Sequence, residues 1–329
     1  MKRLTLYIVL LLTTVFVIAS CATSVTKPNI SITPTQTTAQ PQTITTASTT
    51  ATTTMSTTPP LTNTISTSTH MQTNETTLSQ LKVHFIDVGQ GDAILIDLDE
   101  TEILIDGGNR SSGATAYLND WVDGILEVMV VTHPHADHIG GLIEVLNNFQ
   151  VEQIWHNGDT STSQTYTEFM SAVQSEGAEI NIAKRGDRIK AGQLTFLIFN
   201  PYVIGNDTND NSIVLSLSYG DIDFLFSGDA EKEAENDMLV QTIVPLPDVE
   251  ILKVGHHGSK TASSESFLNF ISPEVAVYMA KVDNSYGHPH KETIFALSNI
   301  NADIYGTDLF GTLVVTTDGS IFEVKTGTD

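Results

Sequence analysis

The chain has 329 residues, with 15 Lys and Arg against 39 Asp and Glu, for a formal net charge of −24 at pH 7. So acidic a chain repels nucleic-acid backbones and anionic lipid surfaces, which excludes non-specific electrostatic capture of either and leaves room only for a local basic groove. The length allows one or two domains with an ample core, and the single cysteine, Cys21, excludes an internal disulfide.

Residues 1–20 read as an export signal. Met1, Lys2 and Arg3 give a basic start, Leu4 to Ile18 an apolar run, and Ala19 and Ser20 small residues before a cut. The run is shorter than the roughly 20 apolar residues that a spanning helix needs. Ile18-Ala19-Ser20-Cys21 resembles the lipobox of bacterial lipoproteins, which implies that Cys21 is acylated after cleavage and anchors the protein, extracytoplasmic, to the cell membrane. Residues 21–79 are mostly Thr and Ser with scattered Pro and Gln. They cannot bury enough apolar surface to offset the entropy of ordering, so an extended stalk is predicted.

Residues 80–329 form the folded domain, marked by short β-rich runs between Gly, Asp and Asn. Strands are predicted at 81–88, 93–98 and 102–105, then a helix at 115–122, a strand at 126–131 and a helix at 139–149. Strands at 153–156, 194–199, 212–219 and 222–226 follow, and Lys184, Arg185, Arg188 and Lys190 fall on a solvated hairpin rather than a groove. A helix at 231–240, a strand at 250–254, a helix at 263–270, a strand at 275–279, a helix at 291–297 and strands at 312–316 and 321–325 complete the order. Strands first, then strands alternating with helices in two similar halves, give an α/β (α+β) class: an αββα sandwich of two mixed sheets with outer helices.

The most informative segment is Thr132-His133-Pro134-His135-Ala136-Asp137-His138-Ile139-Gly140-Gly141. Three imidazoles and a carboxylate within six positions, after an apolar strand and at the start of a helix, are too many polar groups for a strand end unless a cation binds them. Neutral imidazoles and carboxylates suit Zn, Mn or Fe. Asp229 ends the strand 222–226, where a buried carboxylate needs a partner; its other reading is an N-cap for the helix at 231–240. Of adjacent His256 and His257 only one is expected as a ligand, and His256, nearer the strand end, is favoured.

The HxHxDH pattern resembles the metal-binding signature of the metallo-β-lactamase superfamily, and the likeness runs from Leu81 to about Lys325. It implies two divalent metal ions, Zn or Mn: His133 and His135 on the first, Asp137 and His138 on the second, Asp229 between them and His256 completing the second. Within the superfamily the chain is similar to the soluble hydrolase domain of ComEC-type DNA-uptake channel proteins and to phosphorylcholine-esterase-like relatives. The matching segments are Phe85 to Asp92, Asn209-Asp210-Asn211-Ser212, His256-His257-Gly258-Ser259 and Tyr286-Gly287-His288-Pro289. Asp87 or Asp92 could reach the site, or serve the turn, while Asp106 matches a position that supports the ligands. Many members carry a third first-site histidine on a strand between the two halves. Here His156 lies too early for a firm match, and Asn209 and Asn211 stand in that place, so an oxygen-richer first site would favour Mn over Zn.

The resemblance implies hydrolysis of a phosphodiester, either nucleic acid outside the cell or a choline phosphate headgroup. In that reading Asp137 orients the attacking water, His288 donates a proton or binds a phosphoryl oxygen, and Ser212, Ser259 and Lys260 help to hold substrate. The alternatives are a carboxylic ester, lactone or lactam hydrolase, and a non-catalytic surface-binding module. The intact HxHxDH weighs against the last of these.

Overall fold

In the computed structural model, which describes residues 78–327, period-two alternation builds each sheet. In β1 (Leu81–Phe85), Leu81, Val83 and Phe85 face one side, and in β2 (Ile94–Leu98), Ile94, Ile96 and Leu98 join them. The export signal, Cys21 and nearly all of the predicted stalk lie outside the described residues. Among the described residues no helix is long and apolar enough to cross a membrane.

The first sheet has eight strands. After β1 and β2 come β3 (Thr101–Ile105), β4 (Ile125–Val131), β5 (Gln150–His156) and β6 (Glu179–Ile182), and β14 (Leu313–Thr317) and β15 (Phe322–Thr326) return to its other edge beside β1. The second sheet has seven strands, from β7 (Arg188–Ala191), β8 (Leu194–Asn200), β9 (Val214–Tyr219) and β10 (Ile222–Phe226) to β11 (Ile251–Lys253), β12 (Val275–Tyr278) and β13 (Asp303–Gly306). Both are mixed: pairing is parallel from β3 to β6 and from β10 to β13, and antiparallel elsewhere.

One apolar layer fills the gap between the sheets, with Phe85, Ile96 and Val130 against Phe196, Leu215 and Phe226. Two further layers seat the helices outside. The αββα sandwich predicted from the element order is therefore the observed architecture.

The helix predicted over 139–149 is divided. α2 (Ala136–Ile139) and α3 (Leu142–Asn148) meet at Gly140 and Gly141, where a Cβ on Gly141 would lie 2.0 Å from the Gly107 carbonyl oxygen. This approach packs the loop after β3 against the start of α3. The longest helix, α4 (Gln164–Glu176), was not predicted, although Ser163 caps it by accepting the Tyr166 N–H, and Tyr166, Phe169, Met170 and Val173 pack inward at helical spacing. Strands β6, β7 and β13 and the short helix α8 (Thr307–Phe310) were also missed. β6 and β13 are edge strands without a clean apolar alternation, so tertiary pairing rather than pattern forms them.

His84, on the outward side of β1, is fully buried, with Nδ1 2.8 Å from the Tyr117 hydroxyl and its ring 4.4 Å from that of Trp121. Burial, helped by the nearby Lys82 ammonium, lowers its pKa from 6.5 to about 4. A depressed histidine contributes stability that is present above the unfolded pKa of 6.5 and is lost as the pH falls towards 4. The loss amounts to up to about 3 kcal/mol. His84→Gln, which keeps a partner for Tyr117, is expected to flatten this part of the stability profile in denaturant titrations. An unchanged acid loss would place the titrating group elsewhere.

Candidate metal centre

Three strand ends deliver the site. β4 runs into Thr132-His133-Pro134-His135, with Asp137 and His138 in the first turn of α2. β10 runs into Ser227-Gly228-Asp229, and β11 into a tight turn at Gly255–Gly258. The Ile213 N–H donates to the Thr132 carbonyl across the two sheets. Gly91, at φ 129°, allows the Asp87–Asp92 turn to close on this group: a Cβ there would stand 2.1 Å from the Asp137 carbonyl oxygen.

Asp229 is the centre of convergence. Its Oδ2 is approached by Nε2 of His138 at 3.3 Å, His257 at 3.3 Å, His256 at 3.7 Å and His133 at 3.8 Å. The ligand atoms fall into two overlapping groups, Asp92, His138, Asp229 and His257 in one and His133, His135 and Asp229 in the other, each within 4.8 Å.

Behind the rings stands a second layer. Nδ1 of His138 lies 2.7 Å from Asp106, Nδ1 of His256 lies 2.7 Å from Glu231, and Nδ1 of His257 lies 3.2 Å from Asp92. Nδ1 of His133 faces Thr132 Oγ1 at 3.1 Å and Ser212 Oγ at 3.3 Å. A carboxylate on Nδ1 holds the proton there and turns the Nε2 lone pair inward. Buried Nε2 atoms of His138 and His257 and Oδ1 of Asp229 find no hydrogen-bond partner. Imidazole nitrogens gathered around a buried carboxylate need positive charge among them, either protons or a metal ion. The residues present therefore fit a divalent metal.

The electrostatics agree. Burial, with the neighbouring charge of His138, lowers His133 and His135 and so favours the neutral ring that a metal binds, and Nε2 of His133 lies 2.9 Å from Nδ1 of His135. Burial opposes charge on His138 and His257 as well, yet Asp229 with Asp106 or Asp92 outweighs it and raises both well above the usual range. Asp229 itself is held far below the usual carboxylate range, because the imidazoles of His257 and His138 overcome the burial that would raise it. Protons thus occupy positions that a metal would take, and metal uptake should release them.

Above the group lies a cleft of about 360 Å³ lined by His135, Asp137, Asp229, His256, His257 and His288, with Gln90 and Tyr286 at its wall.

The structure brings together His133, His135, Asp137, His138 and Asp229, as the spacing implied. It corrects the choice between the adjacent histidines: His257, 1 % exposed, enters the ligand group, while His256, 22 % exposed, stands beside it on the cleft wall. Both have left-handed φ, 45° and 54°, so successive side chains turn to the same cleft instead of opposite sides. His257→Ala is expected to weaken metal uptake at least about tenfold more than His256→Ala, measured by calorimetric titration of the metal-stripped chain. The reverse order would put His256 in the ligand group.

Other expected site residues are placed differently. His156 accepts the Gly158 N–H and belongs to neither group. Asp87 is exposed and accepts the Gly89 N–H, which is turn chemistry. Asn211 pins its loop to Asp159 and Gly205, and Asn209 lies behind His256, 3.2 Å from Glu231. Ser212 cannot touch substrate, because it is fully buried and accepts the Asp229 N–H. Ser259 is buried against the Thr261 hydroxyl, and Lys260 lines a separate cleft with Lys232. Of the basic residues predicted on a hairpin, Arg188 and Lys190 lie on β7, which pairs with β8, and Lys184 and Arg185 precede it, with Arg185 paired to Asp237. Two supporting residues were missed. Glu231 follows Asp229 by two positions, and Lys253 is a lone cation in the otherwise apolar run Ile251 to Val254.

The sequence profile of the metallo-beta-lactamase superfamily matches residues 86–280. The chain belongs to this superfamily. Membership makes it one of a group of metal-dependent hydrolases, in keeping with the buried His and Asp cluster. Among curated relatives, the chain is 28% identical over 260 residues to ComE operon protein 3 of Bacillus subtilis (strain 168), covering 71% of this chain and 33% of that protein. It is 30% identical over 231 residues to competence protein ComA of Neisseria gonorrhoeae, covering 69% and 31%. The chain thus spans about a third of the length of these relatives. The metallo-beta-lactamase fold protein YhfI from Bacillus subtilis shares the fold, with a TM-score of 0.51 at 11% identity over 72% of this chain and all of that one.

Proposed function

We propose that this superfamily member is a binuclear phosphodiesterase tethered to the outer face of the membrane. The observation that carries the reading is the approach of four imidazole Nε2 atoms to one buried carboxylate, Asp229, at the floor of an open cleft. His133 and His135 would hold one ion, His138 and His257 with Asp137 the other, and Asp229 both. Divalent ions in such a site lower the proton affinity of water and accept charge from a phosphoryl oxygen.

The protein's own groups supply the rest. Asp137 has an oxygen 3.5 Å from His257 Nε2 and is 24 % exposed to the cleft. Burial would raise its pKa, but the close approach of His257 and the charge of His138 lower it to about 2. So weak a base orients the attacking water rather than storing its proton. His288, 9 % exposed, is lowered to about 4 by burial and by His256 and His257. It is neutral at pH 7, which favours N–H donation to a phosphoryl oxygen over delivery of a proton.

One relative is named a competence protein and the other for its operon, and those names carry no activity, so support for hydrolysis comes from the superfamily and the site. The tether, with a signal over 1–20, acylated Cys21 and a stalk over 21–79, rests on the sequence alone. Nucleic acid outside the cell and choline phosphate esters are the two candidate substrates, and the charge of −24 weighs against tight binding of long nucleic acid. The full chain, stripped and reloaded with Mn or Zn, is expected to cleave bis-p-nitrophenyl phosphate in preference to nitrocefin or a lactone. Faster turnover of either of the latter overturns the phosphodiesterase assignment. Metal uptake without turnover of any of them would favour a binding module.

A further inference from the structure

Lys253 ends β11 in the middle of the second sheet and is 1 % exposed. Its ammonium makes two contacts, 2.6 Å to Asp92 Oδ2 and 2.9 Å to the Val254 carbonyl. The other oxygen of Asp92, Oδ1, faces Nδ1 of His257 at 3.2 Å, an ion-pair approach, and neither of these buried atoms has a hydrogen-bond partner. A line of contacts therefore runs from Lys253 through Asp92 to the ring whose Nε2 lies 3.3 Å from Asp229.

A buried ion pair is a poor way to fill a core. Desolvating both charges costs several kcal/mol each, and apolar residues of similar volume often serve stability as well or better. The pair has a purpose if one member is needed for something else, and the only other group within ion-pair distance of the Asp92 side chain is His257. Asp106 shows the contrast. It performs the same service for His138, but it is held by the N–H and hydroxyl of Thr132 and so needs no cation. The side chain of Asp92 receives no backbone N–H, so Lys253 is what fixes it.

We propose that Lys253 is a positioning residue of the metal centre: through Asp92 it fixes the ring plane and tautomer of His257, and so sets the affinity of the ion that His257 binds. This rests on the metal-centre reading above. The step is one of orientation, with no bond made or broken. Lys253→Met removes the clamp and leaves a neutral side chain of similar length. Lys253→Met combined with Asp92→Asn removes both charges together, so that no carboxylate is stranded in the core.

The test is Mn²⁺ uptake by the metal-stripped full chain, followed by calorimetry, with folding checked by circular dichroism. Lys253→Met is expected to weaken, by about 10–100-fold, the same binding step that His257→Ala removes, and to leave the other step within about twofold. Because Lys253 acts through Asp92, the double variant should bind no more weakly than Asp92→Asn alone. A folded Lys253→Met chain with both steps unchanged, or additive losses in the double variant, overturns the proposal. If Lys253→Met does not fold, Asp92→Asn decides: an unchanged His257-dependent step is equally fatal. A parent chain that takes up no Mn²⁺ or Zn²⁺ overturns the metal-centre reading itself, and this inference with it.

Discussion

Asp229→Ala is expected to abolish metal uptake at both positions and to lower phosphodiester turnover by about a thousandfold or more, the scale of a lost metal centre. The carboxylate is 2 % exposed, and its two oxygens have different surroundings: Oδ2 faces the four imidazoles, while Oδ1 has no partner. It belongs to both ligand groups, so its loss breaks both, whereas His133, His135, His138 and His257 each belong to one. Its backbone N–H donates to Ser212 Oγ whatever the side chain, so the turn after β10 should survive the substitution. Metal content by elemental analysis and turnover of bis-p-nitrophenyl phosphate, measured on the same preparation, check this. A variant that keeps two ions, or the parent rate, would remove Asp229 from the centre of the site.

The histidine loop was legible because its ligands are neighbours in sequence. His133, His135, Asp137 and His138 lie on one strand end and one helical turn, so alternation and helix phase predict their directions. The sandwich was legible for a similar reason, because its inner strands alternate cleanly. The choice between His256 and His257 was not, because it turns on two consecutive residues in left-handed backbone, a conformation that neither side chain type announces. The supports were legible only in part. Asp106 was anticipated through the family likeness, but Glu231 and Lys253 owe their roles to contacts 25 and 161 positions away in sequence, His256 minus Glu231 and Lys253 minus Asp92. Ser212 misled for the opposite reason: a hydroxyl in a motif looks available, and burial behind His133 takes it out of reach of substrate. The helix α4 is different, because its Ser163 cap and the helical spacing of Tyr166, Phe169, Met170 and Val173 are both present in the sequence.

Asp106→Asn should show how much of the site's affinity lies behind the ligands. Asp106 is fully buried at the end of β3, with a left-handed φ of 57° that Asp and Asn both tolerate, so the exchange is not a backbone test. Its carboxylate accepts from the Thr132 N–H at 2.9 Å and the Thr132 hydroxyl at 2.6 Å, and faces His138 Nδ1 at 2.7 Å. Burial pushes its pKa up, against the pull of His138 and the Thr132 hydroxyl. An amide of the same shape can still accept from the Thr132 N–H through Oδ1. Its NH₂ then occupies the place of Oδ2 and, as a donor, cannot accept from Nδ1–H. His138 must therefore move its proton to Nε2, the nitrogen that faces Asp229, and the lone pair needed by a metal is turned away. Metal affinity is expected to fall about 10–100-fold. Folding stability should fall much less than in Asp106→Ala, which leaves three buried donors unpaired and costs about 3–5 kcal/mol. Calorimetric titration and denaturant unfolding of the two variants separate these effects. An Asp106→Asn chain that binds metal like the parent would mean that the tautomer of His138 is set by something other than Asp106.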